Sequence, residues 1–325
     1  MPHCRVCPEC NGVVCKGEVP GMGGKGTGTA FMNNINALRY ISLNMKVIHE
    51  VRTPDISCEV LGENLSLPVM AAPMTGTGYS MGGRLSDEEF TRVLVEGCEM
   101  AGTLASVGDG ESPDLLSDGL RVLHETRKKA AVFIKPWNND EFLLRSDRLD
   151  RELVPFMGSD LDGCGLTQMN TLGFGVYPKT MAELKSLIDS IDIPFIVKGV
   201  LTLADAEAAY AAGAKGIVVS NHGGRVLDHA RPTADVLPEI ARQMKGRLTI
   251  MVDGGVRDGV DVFKMLALGA DVVLIGRPFV TYAFGGGKEG VAMYVEKLKQ
   301  ELTSTMLLTG AATIKDITPE MILRY

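Results

Sequence analysis

The chain has 325 residues, 38 of them glycine, and Lys+Arg 33 against Asp+Glu 40 leaves a net charge of −7. A hydrophobic share of 45% with 22% charged residues is a globular balance that excludes disorder, and the glycines show no three-residue period, which excludes collagen. The acidic balance argues against a nucleic-acid partner, and no apolar run reaches the ~20 residues of a membrane span. The first residues do not read as a signal peptide, so the expected location is the cytoplasm.

In chain order, the first feature is a cysteine cluster. Cys4, Cys7, Cys10 and Cys15 have the spacing C-x2-C-x2-C-x4-C, while Cys58, Cys98 and Cys164 are scattered among apolar neighbours and read as small buried hydrophobes. Thiolates three residues apart can converge on one centre, so the expected ligand of the four is an iron–sulfur cluster or zinc. The spacing departs from the bacterial ferredoxin run, since four residues precede the last cysteine and Lys16 follows it. The other reading is a reduced, flexible terminus. Gly23–Thr29 lacks the G-x4-G-K-[ST] pattern of a phosphate loop and is expected to form a mobile cover or a plain linker.

From residue 69 onward, short apolar runs alternate with helical patterns. Strands are expected at Val69–Ala72, Thr103–Val107, Ala131–Lys135, Gly163–Thr167, Phe195–Lys198, Gly216–Ser220, Thr249–Val252 and Val272–Gly276. Helices are expected at Asp87–Met100, Asp114–Lys128, Ala182–Ile188, Leu203–Ala211, Val236–Met244 and Val260–Leu268, with Lys288–Leu308 closing the fold. Continuous apolar strands joined by helices imply a parallel sheet covered on its faces, and eight such units fit an α/β fold of the (β/α)8 TIM-barrel type. Residues 1–68 then form an N-terminal extension and 69–325 the barrel.

Barrel active sites lie at the C-terminal ends of the strands. Those ends carry Ala72, Met74, Ser106, Lys135, Trp137, Lys198, Ser220, Asp253 and Gly276. Gly254-Gly255, Gly276, Arg257 and Arg277 supply the phosphate site that loops seven and eight of a barrel usually form. In Ser220-Asn221-His222-Gly223-Gly224-Arg225, a base that titrates near neutrality stands three residues from a guanidinium fork matched to a carboxylate. His3, His49, His124 and His229 read as structural. Lys198 needs an anionic partner to remain charged at the barrel rim.

The stretches Ile196–Val200, Ser220–Asp228, Asp253–Arg257 and Gly276–Phe279, continuing to Leu302–Gly310, resemble the FMN-dependent α-hydroxy-acid oxidase and dehydrogenase family of glycolate oxidase, lactate oxidase and flavocytochrome b2. Leu67–Pro73 and Thr103–Ser106 resemble its first two strands. The resemblance implies FMN over the barrel mouth, with Ala72, Met74 and Ser106 along the flavin, Lys198 at its N1/O2 edge and Ser220 bonded to it. It implies Gly255, Arg257, Gly276 and Arg277 on the phosphate, His222 as base and Arg225 on the substrate carboxylate. The implied reaction oxidises an (S)-2-hydroxy acid to a 2-oxo acid, passing electrons to oxygen, a quinone or a protein, in a homo-oligomer.

Departures from the family are equally visible. Its N-terminal tyrosine is missing from Pro20–Gly24, and its strand-three glutamine and tyrosine are replaced by Lys135 and Trp137, so Trp137 is expected at the substrate. The aspartate that orients the base aligns with Asn170, which would leave His222 a weaker base. The second substrate arginine is absent, so carboxylate binding is expected to rest on Arg225 unless Lys135, Arg84 or Lys25 substitutes. The alternative is another FMN barrel: an isomerase related to type 2 isopentenyl diphosphate isomerase, or an electron-transfer protein.

Overall fold

The computed structural model describes residues 4–167, 169 and 175–324. Asn170 and the segment 171–174, where the shortened loop was expected, lie outside the described residues.

Eight parallel strands form one sheet: β1 (Val69–Ala71), β2 (Ala105–Gly108), β3 (Ala130–Ile134), β4 (Met157–Asp160), β5 (Phe195–Val200), β6 (Gly216–Val219), β7 (Thr249–Val252) and β8 (Val272–Ile275). Each strand pairs with the next from β2 to β8, and β8 pairs with β1. The Met74–Val107 bridge and the bond from Ala71 N–H to the Leu104 carbonyl bring β1 against β2, completing the barrel. Almost every strand residue is buried, as expected where the interior and the helical ring cover both faces. No helix among the described residues is long and apolar enough to cross a membrane.

Local chemistry explains the helices. The helix Asp87–Met100 starts at Ser86, whose side chain accepts from the Glu89 N–H while Glu89 caps the Ser86 N–H in return. Thr180 and Glu183 repeat that arrangement before Met181–Asp189. The long helix Arg277–Thr309 bends at Gly287, where φ is 61°.

The expected fourth strand, Gly163–Thr167, is wrong. That stretch opens as a 3-10 turn (Leu161–Gly165), and the strand is Met157–Asp160, preceded by the helix Asn139–Ser146. Met-Gly-Ser-Asp contains no β-branched residue, so propensity gives no signal there. Packing selects it instead: a Cβ on Gly158 would sit 2.5 Å from the Ile196 carbonyl oxygen and 2.8 Å from the Phe133 ring.

The N-terminal extension is laid across the C-terminal mouth of the barrel. Helix α1 (Thr29–Arg39) packs on loops six and seven, joined by reciprocal amide bonds of 2.8 and 3.0 Å between Asn34 and Asn221. The glycine-rich cover is tied down: Lys25 donates its backbone N–H to the Gly224 carbonyl and its amine to the carbonyls of Gly165 and Val226. Thr27 donates twice to Asp228, and although burial opposes it, these bonds hold that carboxyl down to about 2.

Candidate active site

The strand ends and the cover enclose an open cavity of about 1140 Å³. Of the barrel residues expected at the site, all but Ser106, Ser220 and Trp137 line it. Ser106 is buried, and its Oγ has no partner among the described residues. Ser220 is buried beneath the wall, where its Oγ binds Lys198 Nζ at 3.0 Å and Asp253 at 2.8 Å and accepts the His222 N–H. Trp137 is held aside by its indole N–H, which donates to Asp109, and by Arg145 stacked 4.3 Å from its ring centre.

Among the described residues the carboxylate set to orient His222 is Asp162, whereas Asn170, expected in that place, lies outside them. His222 Nδ1 lies 3.2 Å from Asp162 Oδ1 and 3.9 Å from Asp160 Oδ2. Burial opposes ionisation of Asp162, but the charges of His222 and Lys198 overcome it and hold the carboxyl at about 2. An ionised Asp162 accepts a hydrogen bond from Nδ1–H, leaving Nε2 as the acceptor. Burial lowers the His222 pKa below its ordinary 6.5 against the opposing pull of Asp162, so the ring is neutral at pH 7. His222 has φ 56°, an uncommon conformation that aims the ring from the loop. The signal missed in the sequence was the pair Asp160-x-Asp162, masked by the misplaced strand.

Lys198 is buried, yet Asp253, Asp162 and Asp160 outweigh the burial and raise its pKa, so a permanent cation stands in the wall. Lys135 forms a close ion pair with Asp160. The amine of Lys25 is taken by carbonyls, and Arg84 is exposed and outside the cavity wall, so none of the three expected substitutes stands free as a second carboxylate anchor. Arg225 does: among the described residues it has no ion pair, and it donates only to the Gly21 carbonyl (3.2 Å) and Ser80 Oγ (3.1 Å). Its buried Nε–H has no partner, and burial lowers its pKa to about 10. Ser80, from the turn after β1, is a second site residue that the sequence did not reveal.

Arg257 and Arg277 line the same cavity with Gly254, Gly255 and Gly276. Gly255 is required there, because a Cβ would lie 2.5 Å from the Asn34 carbonyl oxygen. Among the described residues, the Arg277 guanidinium bonds only the carbonyls of Met22, Gly23 and Gly223, and that of Arg257 only those of Cys10 and Val256 and, at 3.5 Å, Cys10 Sγ. Burial, and then repulsion by Arg257 and Arg225, pushes Arg277 down to about 9. Three clustered guanidiniums without a carboxylate call for an anion, and two of them sit at the glycine loops where a phosphate would reach backbone N–H groups. This cradle and the orphaned Ser106 hydroxyl fit a phosphate-bearing flavin. Replacing Arg277 with Met should weaken FMN affinity by about 10- to 100-fold, read by titrating stripped protein with FMN.

The four N-terminal cysteines lie outside this cavity. No three of their sulfurs come within 4.8 Å of one another, which does not fit a single zinc ion, whose ~2.3 Å bonds require closer sulfurs.

A family model described as FMN-dependent dehydrogenase matches residues 21–115 and 165–324, leaving out the segment that carries β3, β4 and Asp162. The chain is 33% identical over 313 residues to a peroxisomal (S)-2-hydroxyacid oxidase of Arabidopsis thaliana, covering 88% of this chain and 85% of that one. It is 31% identical over 317 residues to L-lactate oxidase of Lactobacillus jensenii, covering 88% and 76%. Among solved structures, the recombinant flavin-binding domain of baker's yeast flavocytochrome b2 matches with TM-score 0.78 at 25% identity, covering 92% of this chain and 80% of that one. A mandelate oxidase crystallised with 3,3-difluoro-2-hydroxy-3-phenylpropionic acid matches with TM-score 0.76 at 25% identity, covering 93% and 92%.

Proposed function

The chain belongs to the FMN-dependent dehydrogenase family, and from that premise we propose that it oxidises an (S)-2-hydroxy acid to the 2-oxo acid at this cavity. The observation that carries the proposal is the presence in one cavity of a neutral, carboxylate-oriented His222 and a half-buried Arg225 that has no ion pair among the described residues.

Gly254, Gly255, Gly276, Arg257 and Arg277 would hold the FMN phosphate, and Ala72, Met74, Ser106 and Lys198 would meet the ring. The chemistry FMN supplies when bound is acceptance of a hydride equivalent, two electrons with one proton, from the substrate. Arg225, with Ser80 beside it, binds the substrate carboxylate. His222 Nε2 takes the substrate proton, and Asp162 stabilises the resulting imidazolium. Lys198, fixed in charge by its three carboxylates, offsets the negative charge that reduction brings, an electrostatic contribution that needs no reorganisation. The isomerase alternative is not favoured, because the His222–Asp162 pair and Arg225 are the apparatus that proton removal from a hydroxy acid requires. Oxygen, a quinone or a protein would take the electrons onward.

The test is anaerobic mixing of FMN-loaded protein with a panel of (S)-2-hydroxy acids while following the flavin's visible absorbance. Bleaching by at least one acid, with formation of the 2-oxo acid, is expected; a panel that leaves the flavin oxidised throughout would overturn the proposal. The pH profile supplies a second check. Only neutral His222 accepts a proton, so kcat/KM should fall on the acid side with a midpoint below 6.5. Asp162→Asn removes a charge that raises the His222 pKa, so that midpoint should move lower still while kcat drops by about 10²- to 10⁴-fold.

A further inference from the structure

The cysteines at positions 4, 7, 10 and 15 take no part in the chemistry above, yet the fold brings all four to one place. They line a second cavity, about 1580 Å³ and open to solvent, which adjoins the first and shares Met22, Gly255, Arg257 and Arg277 with it. None is in a disulfide, and each is only partly buried. We propose that these four thiolates bind an iron–sulfur cluster of the four-iron type, seated beside the phosphate end of the FMN site.

Three observations support it. First, the Cys4–Cys7 turn already has a sulfur-binding shape. Val6 is held at φ 46°, a conformation that a β-branched residue adopts only under constraint, and its N–H donates to Cys4 Sγ at 3.4 Å. Second, two cations of its wall are left without an ion pair among the described residues: Arg5, Arg39, Lys264 and Lys297 are matched by Glu18, Glu9, Asp261 and Glu301, whereas Arg257 and Arg277 are not, and Arg257 Nη2 reaches Cys10 Sγ at 3.5 Å. Four thiolates give a cluster net negative charge, and cations and N–H donors at the sulfurs stabilise it. Third, no three of the sulfurs lie within 4.8 Å of one another. A lone tetrahedral ion needs them closer than the chain holds them, whereas a cubane spreads its thiolates over a larger body. Binding would also cross-link the first fifteen residues to one another, a segment that Arg257 already holds to the barrel by donating to the Cys10 carbonyl.

The test uses the full chain, purified without oxygen and incubated with ferrous iron, sulfide and a thiol reductant, then freed of unbound metal. The expected result is about four iron and four sulfide per chain, with a paramagnetic signal after one-electron reduction. Cys7→Ser and Cys15→Ala should each lose most of the iron and sulfide while keeping FMN content and circular dichroism, and Cys58→Ser should lose none. Iron and sulfide at trace level after reconstitution would overturn the proposal. So would stoichiometric zinc bound in preference to the cluster, or a full cluster retained in both Cys7→Ser and Cys15→Ala.

Discussion

Replacing His222 with Gln is expected to lower kcat by about 10²- to 10⁴-fold, the usual worth of a positioned general base, with little change in KM. Glutamine keeps a polar group of similar reach in the loop but cannot take a proton at neutral pH. The surrounding contacts predict that the loss is chemical rather than structural. The backbone N–H of residue 222 still binds Ser220 Oγ, and the loop remains anchored by Asn221 to Asn34 and by Gly224 to Lys25. FMN content should therefore stay at the wild-type level, and stopped-flow reduction of the flavin should slow by the same factor as turnover. If turnover slowed while flavin reduction stayed fast, the base would have to be sought elsewhere.

Arg225→Met is expected to act differently, raising KM by about 10²- to 10³-fold because a buried charge pair with the substrate carboxylate is lost from one side. The wild-type guanidinium is held in place by the Gly21 carbonyl and Ser80 Oγ while its Nε–H is left over. A carboxylate satisfies that donor and offsets the burial that lowers the Arg225 pKa to about 10. A neutral substrate, the amide of the same hydroxy acid, should lose far less in the variant. The ratio of kcat/KM for acid over amide should collapse, and an unchanged ratio would remove Arg225 from the carboxylate. Ser80→Ala, which deletes only one neighbour of the fork, should show the same trend at smaller size.

Seven of the eight strands were legible because each is a contiguous apolar run whose residues are buried on both faces, so burial and local pattern agree. The helix Asp87–Met100 was legible to the residue, since its capping box and its apolar spacing lie within one segment. Strand β4 was not. Met157-Gly158-Ser159-Asp160 has neither propensity nor pattern, and it is a strand because only a glycine fits between Phe133 and Ile196. That single misplacement propagated to the site, since moving the strand end hid Asp160 and Asp162 and put Asn170 at the position aligned with the orienting aspartate.

The sequence by itself determined that Gly254, Gly255, Gly276, Arg257, Arg277, His222, Arg225 and Lys198 meet at one cavity, because each lies in a short motif at a strand end and barrel topology brings strand ends together. Only the tertiary structure decided what each of them touches. The Asp162 partner of His222 is 60 residues away, the Asn34 partner of Asn221 is 187 away, and the Cys10 carbonyl on Arg257 is 247 away. Such pairings are fixed by how loops from different strands, and a segment folded back over the barrel mouth, meet in space. A local pattern encodes which residues face inward; the partner an inward charge finds depends on the packing of the whole chain.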